Sequence, residues 1–372
     1  NALRIFPDDI EILEKLGQDN MGGFLKTLEN HKIDAHQEWG GELTVGIGKG
    51  SFETVKEEYE VHAKYGHDVE LLDRDAVRAQ VNSPLYTGGC WSKALSGTVH
   101  PARLAWGLKQ AALSLGVHMH EHTPMEKIER INGVMEVKTH DGLVRARKVL
   151  LCTNAFAAGD KKIKRRVVGI RDRVMATEPL SEEQMDRVGW KNRQGIYDTR
   201  TQLNYTRLTK DNRIIFGGRL AYYYDGTNNH DPAHERTVEP FGVLADKFNN
   251  YFPQLDDIKF SHAWSGPIAL TTRMAAHFQN YHGGDVVWAG GYSGFGVSTS
   301  RFGARVGLAK LDDLDLPELK MDLSTTMPNW VPPEPFRWIG SKITFNALDS
   351  VDEKGGWRRA WVNLVQKLGF PI

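Results

Sequence analysis

The stretch Trp288-Ala289-Gly290-Gly291-Tyr292-Ser293-Gly294-Phe295-Gly296-Val297-Ser298 decides how the rest of the chain is read. An apolar run over 285–289 predicts a short buried strand, glycines follow at 290, 291, 294 and 296, and the pattern over 297–310 predicts a helix. Glycines let a backbone approach a ligand closely. A helix start offers unpaired N–H groups and a positive dipole end, worth about 0.3–2 kcal/mol to a nearby anion. An electron-rich ring or a phosphate suits such a place. On this cluster alone, a strand-to-helix turn without a ligand fits equally well.

Upstream, β-branched and aromatic runs predict strands over 167–177, 202–208, 213–216 and 258–265, with one helix over 238–252. That is an antiparallel sheet carrying helices. The charged run Asp160-Lys161-Lys162-Ile163-Lys164-Arg165-Arg166 before it reads as a solvated connection. In the first part of the chain, Ile10, Leu13, Leu16, Phe24, Leu25 and Leu28 predict an opening helix behind Asp8 and Asp9. A strand over 42–45 and helices over 52–64 and 74–80 follow. Pro101 suits a first helical turn, and Leu104, Leu108, Ala111, Ala112 and Leu115 predict a buried stripe that Gly116 ends. Strands are expected over 117–121, 126–130, 134–139 and 144–152, the last of them central and buried. Beyond Leu316, Trp330, Trp338, Trp357 and Trp361 predict a packed tail.

Forty-seven basic side chains balance 47 acidic ones, so neither the basic excess of a nucleic-acid binder nor a basic membrane-binding face is present. No apolar run approaches the ~18 residues of a membrane span, and Asn1 to Phe6 do not read as a secretory leader. A cytoplasmic protein is expected. Its 372 residues suit about two domains. Cys90 and Cys152 are too few for a disulfide framework and lack zinc spacing, so reduced, buried thiols are expected and no metal. The other glycine run, Gly46-Ile47-Gly48-Lys49-Gly50, has Ser51 where a dinucleotide fingerprint needs its third glycine. It also has Gly50 where a phosphate loop needs Ser or Thr after the Lys, so it reads as a surface turn and an NAD enzyme lacks its fingerprint.

Four segments in order resemble FAD-dependent amine and amino-acid oxidoreductases of the D-amino-acid oxidase superfamily, in particular the gamma-glutamylputrescine-oxidase-like branch. They are Ser96-Gly97-Thr98-Val99-His100-Pro101-Ala102-Arg103-Leu104, then Glu121-His122-Thr123-Pro124-Met125, then Val149-Leu150-Leu151-Cys152-Thr153-Asn154-Ala155, and last the glycine cluster. The resemblance implies an α/β (α+β) fold in which a Rossmann-like FAD-binding domain joins an antiparallel-sheet substrate domain. Residues 1–160 and 284–372 are assigned to the first domain and 161–283 to the second, with part of 30–95 open to either. It also implies cofactor contacts from Met125 at the adenine end, from Thr153, Asn154 and Ala155, and from Gly290, Gly291, Gly294, Phe295, Gly296, Val297 and Ser298 at the flavin.

The family's N-terminal strand–glycine loop–helix, which holds the FAD pyrophosphate, has no counterpart here. An upstream segment or a separate polypeptide is expected to supply it. The flavin performs the chemistry in such enzymes, so no catalytic side chain is required. Tyr205, Tyr222, Tyr223, Tyr224 and Trp264 are candidates for an aromatic wall around an amine, with sheet packing the alternative for each. Trp264-Ser265-Gly266-Pro267-Ile268 resembles the segment in which amino-acid oxidases of the family carry an arginine that grips the substrate carboxylate. Ile268 stands there, Arg273 is the possible substitute, and His100 is either a polar pocket residue or a structural histidine. The implied reaction is oxidation of a C–N bond of a small-molecule amine (a polyamine, an amine conjugate or an N-alkyl amine) to an imine. The alternatives are an amino-acid oxidase or dehydrogenase and a flavin-free interaction subunit. The expected outcome is that the complete protein binds FAD and this chain alone binds it weakly or not at all. Tight FAD binding by the 372 residues in a fluorescence titration contradicts the missing-segment reading.

Overall fold

The computed structural model describes residues 2–218, 231, 233–234 and 237–370. The chain opens with α1 (Ala2–Ile5) and α2 (Ile10–Asn30), then β1 (Glu42–Ile47), α3 (Ser51–Lys64), β2 (Val69–Leu72), α4 (Arg74–Gln80), β3 (Tyr86–Ser92) and α5 (Pro101–Ser114). The strands β4 (Met125–Ile131), β5 (Val134–Thr139) and β6 (Leu143–Ala146) form an antiparallel sheet of three, and β7 (Val149–Leu151) follows. The middle of the chain supplies β8 (Val167–Thr177), α6 (Glu182–Val188), β9 (Gly195–Asp198), β10 (Asn204–Leu208), β11 (Ile214–Gly218), α7 (Glu239–Tyr251) and β12 (Phe260–Thr271). Then come β13 (His277–Tyr281), β14 (Val286–Gly290), α8 (Gly296–Leu311), α9 (Asp322–Thr325), α10 (Phe336–Leu348), α11 (Val351–Lys354) and α12 (Trp357–Lys367). Among the described residues no helix is long and apolar enough to cross a membrane.

The fold is mixed α/β, as predicted, around a sheet ordered β12-β8-β11-β10-β9-β1-β3-β2. It is antiparallel except where β1 lies parallel to β9. That pairing joins the early strands β1 to β3 to the sheet built by β8 to β12. One face of the sheet is dry: Leu43, Val45, Met175, Ile196 and Phe216 pack on Leu244, Phe248 and Tyr251 of α7. Those helix positions recur at i, i+4 and i+7, and Pro240 in the first turn sacrifices no hydrogen bond. A second sheet, β13-β14-β7, holds β14 parallel to β7, with α8 returning across it.

Several expectations fail for identifiable reasons. Residues 117–121 form no strand; Gly116 turns the chain with φ 84°, and Glu121 is held by Lys109 of α5 rather than by a ladder. The run 144–152 is two strands in two sheets. Lys148 interrupts it by donating to the Leu311 carbonyl and lying 3.3 Å from Asp312. The second piece, β7, is half-buried instead of central. Leu108 and Leu115 are exposed, so only Leu104 and Ala111 of the α5 stripe reach a core. In the tail, Trp330, Trp338 and Trp357 are exposed while Trp361 donates to Thr344 at 3.0 Å beside a small core. Both cysteines are free, but Cys152 is exposed.

His277 on β13 is fully buried against Trp288, with ring centroids 4.8 Å apart and neither ring nitrogen hydrogen-bonded. Burial, followed by the nearby charges of Arg273 and Arg166, pushes it from its ordinary 6.5 down to about 3. The unfolded chain therefore binds a proton that the fold refuses, and stability falls as pH drops from 6.5 towards 3. Melting temperature should rise with pH from about 3 to 6.5, and His277→Phe should flatten that rise.

Candidate functional site

The glycine loop is tied to the fold from two sides. Gly291 N–H donates to Asn154 Oδ1 at 3.0 Å, and Trp288 Nε1 donates to Thr153 Oγ1 at 3.2 Å. Ser293 N–H donates to the Ala269 carbonyl at 3.0 Å, while Thr271 N–H donates to Ser293 Oγ at 3.1 Å. The loop thus bridges the end of β7 and the end of β12. Gly294 takes φ 99° and is exposed, and a Cβ built on it would meet nothing within 4 Å. Beyond it α8 begins with no side chain capping it, and Phe295 and Val297 at its mouth are 61% and 51% exposed. The first N–H groups of any α-helix have no partner inside the helix. Among the described residues no side chain caps them here. At Gly296 the backbone is helical, and an added Cβ would stand 3.6 Å from Tyr292, an ordinary contact.

The other cofactor candidates divide. Thr153 and Asn154 join the loop through the bonds above. Ala155 turns its methyl into a core with Ala269 and Trp288, leaving only its backbone for a ligand. Ser298 lends its carbonyl to Asn20 of α2 at 3.0 Å. Met125 opens β4 in the separate three-stranded sheet and is exposed.

Just upstream of the loop, β12 crosses the large sheet, and the face opposite the dry core carries the substrate candidates. Tyr205, Gly217, Val174 and Trp264 are successive cross-strand partners on β10, β11, β8 and β12, so their side-chain positions share that face. Trp264 is 43% exposed. Ile268 pairs with Ile170 on the same face, next to Ala269 and hence beside the glycine loop. Tyr222, with Tyr223 and Tyr224, lies outside the described residues.

Arg273 is no carboxylate clamp. It is 6% exposed, and its guanidinium donates to Thr326, Ala276 and Leu323, with its charge beside the Phe6 ring. His100 caps α5: Nδ1 accepts from Arg103 N–H at 3.4 Å, and burial with the nearby Arg207 charge lowers its pKa.

Asp172 and Arg207 on this face were not among the sequence candidates. Tyr205 donates its hydroxyl to Asp172 Oδ2 at 2.6 Å. Burial raises the Asp172 carboxyl above its usual range, and burial together with that carboxylate holds Tyr205 protonated. The available signal was Arg171-Asp172-Arg173, three charges inside an apolar strand. The second is Arg207, two residues beyond Tyr205 on the same face and half-buried; among the described residues its guanidinium donates one bond, at 3.4 Å, to the Leu208 carbonyl.

Residues 6–308 match the family described as DAO, FAD dependent oxidoreductase. The chain is 30% identical over 325 residues to a probable oxidoreductase OrdL of Haemophilus influenzae, covering 82% of this chain and 71% of that protein. It is 31% identical over 314 residues to gamma-glutamylputrescine oxidoreductase of Escherichia coli, covering 80% and 70%. Among solved structures, it resembles L-proline dehydrogenase from P. horikoshii with TM-score 0.67 at 20% identity, covering 82% and 80%. Glycine oxidase from Geobacillus kaustophilus gives TM-score 0.68 at 15% identity, covering 81% and 79%. At these identities the two structures establish the fold alone.

Gly294 and Gly296 should respond differently to substitution. Gly294→Val forces a β-branched side chain to φ near +99° and should abolish flavin retention in the complete protein, whereas Gly296→Ala should retain flavin. Absorbance at the flavin maximum per mole of protein checks both.

Proposed function

The chain belongs to the DAO family of FAD-dependent oxidoreductases, and we propose that it oxidises a C–N bond of an amine lacking an α-carboxylate. Polyamines, amine conjugates and N-alkyl amines are the substrate classes. The observation behind this reading is the site face of β12, where Trp264, Gly266, Ile268 and Leu270 bring no cation, while Arg273 is spent inside the fold. A carboxylate carried into such a surround needs a charge partner, and leaving one charge of a buried pair alone costs on the order of 3–5 kcal/mol.

FAD, when bound, supplies the electron acceptor for the C–N oxidation. The loop 290–298 and Asn154 would hold its ring edge, and the positive end of α8 favours negative charge gathering there. Ile170, Val174, Trp264 and Ile268 offer an apolar wall that orients the carbon chain and excludes water. On this reading residues 1–160 and 284–372 carry the cofactor and 161–283 the substrate, with β1 to β3 joining the sheet of the second group. Two free thiols fit a reducing cytoplasmic setting.

Arg207 favours a second reading, an amino acid as substrate, because its guanidinium has donors to give and shares the face of Tyr205. A steady-state panel separates the two. Amines without an α-carboxylate should exceed neutral amino acids in kcat/KM by roughly a hundredfold, the value of one missing charge partner. If amino acids lead by about tenfold or more, and Arg207→Gln removes that lead, the second reading replaces the first.

A further inference from the structure

Across the open face of the large sheet, Asp172 is a carboxylate buried in an apolar surround. It is 7% exposed, between Ile170 and Val174 along β8 and directly opposite Gly266 of β12. Its oxygens accept the Tyr205 hydroxyl at 2.6 Å and the Arg173 N–H at 2.8 Å, with a further bond from the Gly218 backbone. Tyr205 reaches it by crossing Gly217, where any Cβ would run into the phenol ring. On the opposite flank a Cβ added at Gly266 would meet no atom of the described residues within 4 Å. A carboxylate has about four acceptor positions, and three donors leave one over. Among the described residues, Asp172 is therefore fixed by a phenol on one side and flanked by the space beside Gly266 on the other, with the Trp264 ring position next along β12.

Resting on the amine reading above, we infer that Asp172 pairs with the ammonium group of the substrate and accepts its proton, and that Tyr205 is the positioning residue that fixes the carboxylate. The step is a proton transfer without oxidation or reduction. An N–H bond of R–CH2–NH3+ breaks and leaves its electron pair on nitrogen as a lone pair, while an O–H bond forms on Asp172. The free amine is the form whose lone pair can support loss of hydride from the neighbouring carbon. Burial, the largest influence, raises the Asp172 carboxyl and makes it a better acceptor, against the opposing Tyr205 hydroxyl, the backbone bonds and the Arg173 charge. Among the described residues, the charged and titratable groups around the pair are Arg173 on β8 and Arg207 on β10; Gly217 and Gly218 of β11 and Gly266 of β12 bring none.

The test uses the flavin-loaded protein and two variants, Asp172→Asn and Tyr205→Phe. Butyltrimethylammonium, a permanent cation with no proton to give, is titrated by calorimetry. Asp172→Asn should weaken its binding roughly thirtyfold or more while flavin content stays unchanged. With the best amine of the panel, wild-type kcat/KM should be level between the carboxyl and amine pKa values. Asp172→Asn, which must wait for free amine, should rise about tenfold per pH unit towards the amine pKa. Tyr205→Phe removes a bond that favours the ionised carboxylate, so it should keep cation binding and move the acid limb to higher pH. Unchanged cation affinity and an unchanged pH profile in Asp172→Asn overturn the inference while leaving the amine reading intact. Should Asp172→Asn fail to fold, an unmoved acid limb in Tyr205→Phe overturns it equally. Cation binding that depends on Asp172 in a protein that oxidises none of the amines would sustain the ammonium site and sink the amine reading instead.

Discussion

The register in which β8 and β12 pair governs the whole site. Ile268 stands opposite Ile170, Gly266 opposite Asp172 and Trp264 opposite Val174. A slip of one residue would carry all of these to the dry face and present Arg171, Arg173 and Ser265 in their place. Two contacts oppose such a slip. On the dry face Arg171 donates to Ser265 Oγ at 2.9 Å. At the end of β12, Ala269 is fully buried with Ala155 and Trp288 and accepts the Ser293 N–H. The same strand that aligns the substrate face is therefore pinned to the glycine loop, and the two halves of the site keep one distance.

How much of this was legible in the sequence follows from how local each signal is. The helices α4, α5 and α7 and the long strand β8 announced themselves because periodicity, a proline at a helix start and a glycine past its end act within a few residues. Strand 117–121 failed for the complementary reason: its apolar residues fit a strand, but a strand exists only where a partner edge is offered, and none of the described strands pairs with it. The break between β6 and β7 depends on Lys148 reaching Leu311, residues 163 apart in sequence.

The polar residues of the site show the same limit more sharply. Arg273 lies near Ile268 in sequence, yet the chain turns between them and the guanidinium joins the loop around Thr326. Arg207 and Asp172 are remote from Ile268 in sequence and share its sheet face through the pairing of four strands. Nearness in sequence to Ile268 is therefore no measure of which side chains share its sheet face. A charged triplet in the middle of an apolar strand is a signal of another kind, because burying ionisable groups is costly unless partners or a function retain them.

The distribution of charge bears on how an amine would be chosen. With 47 basic and 47 acidic side chains the protein carries no net charge, so long-range attraction of a cation is weak. Discrimination falls to what happens after water is excluded. The open mouth of α8 offers positive dipole at the cofactor side, and the buried Asp172 offers negative charge across the sheet face. An ammonium ion gains from the second and would be repelled by the first, which sets its orientation as well as its affinity. Because Asp172 is buried, bulk salt screens that interaction far less than it screens a surface pair. Selectivity for an amine would then reside in the spacing between a helix end and one carboxylate, and the β8–β12 register holds that spacing.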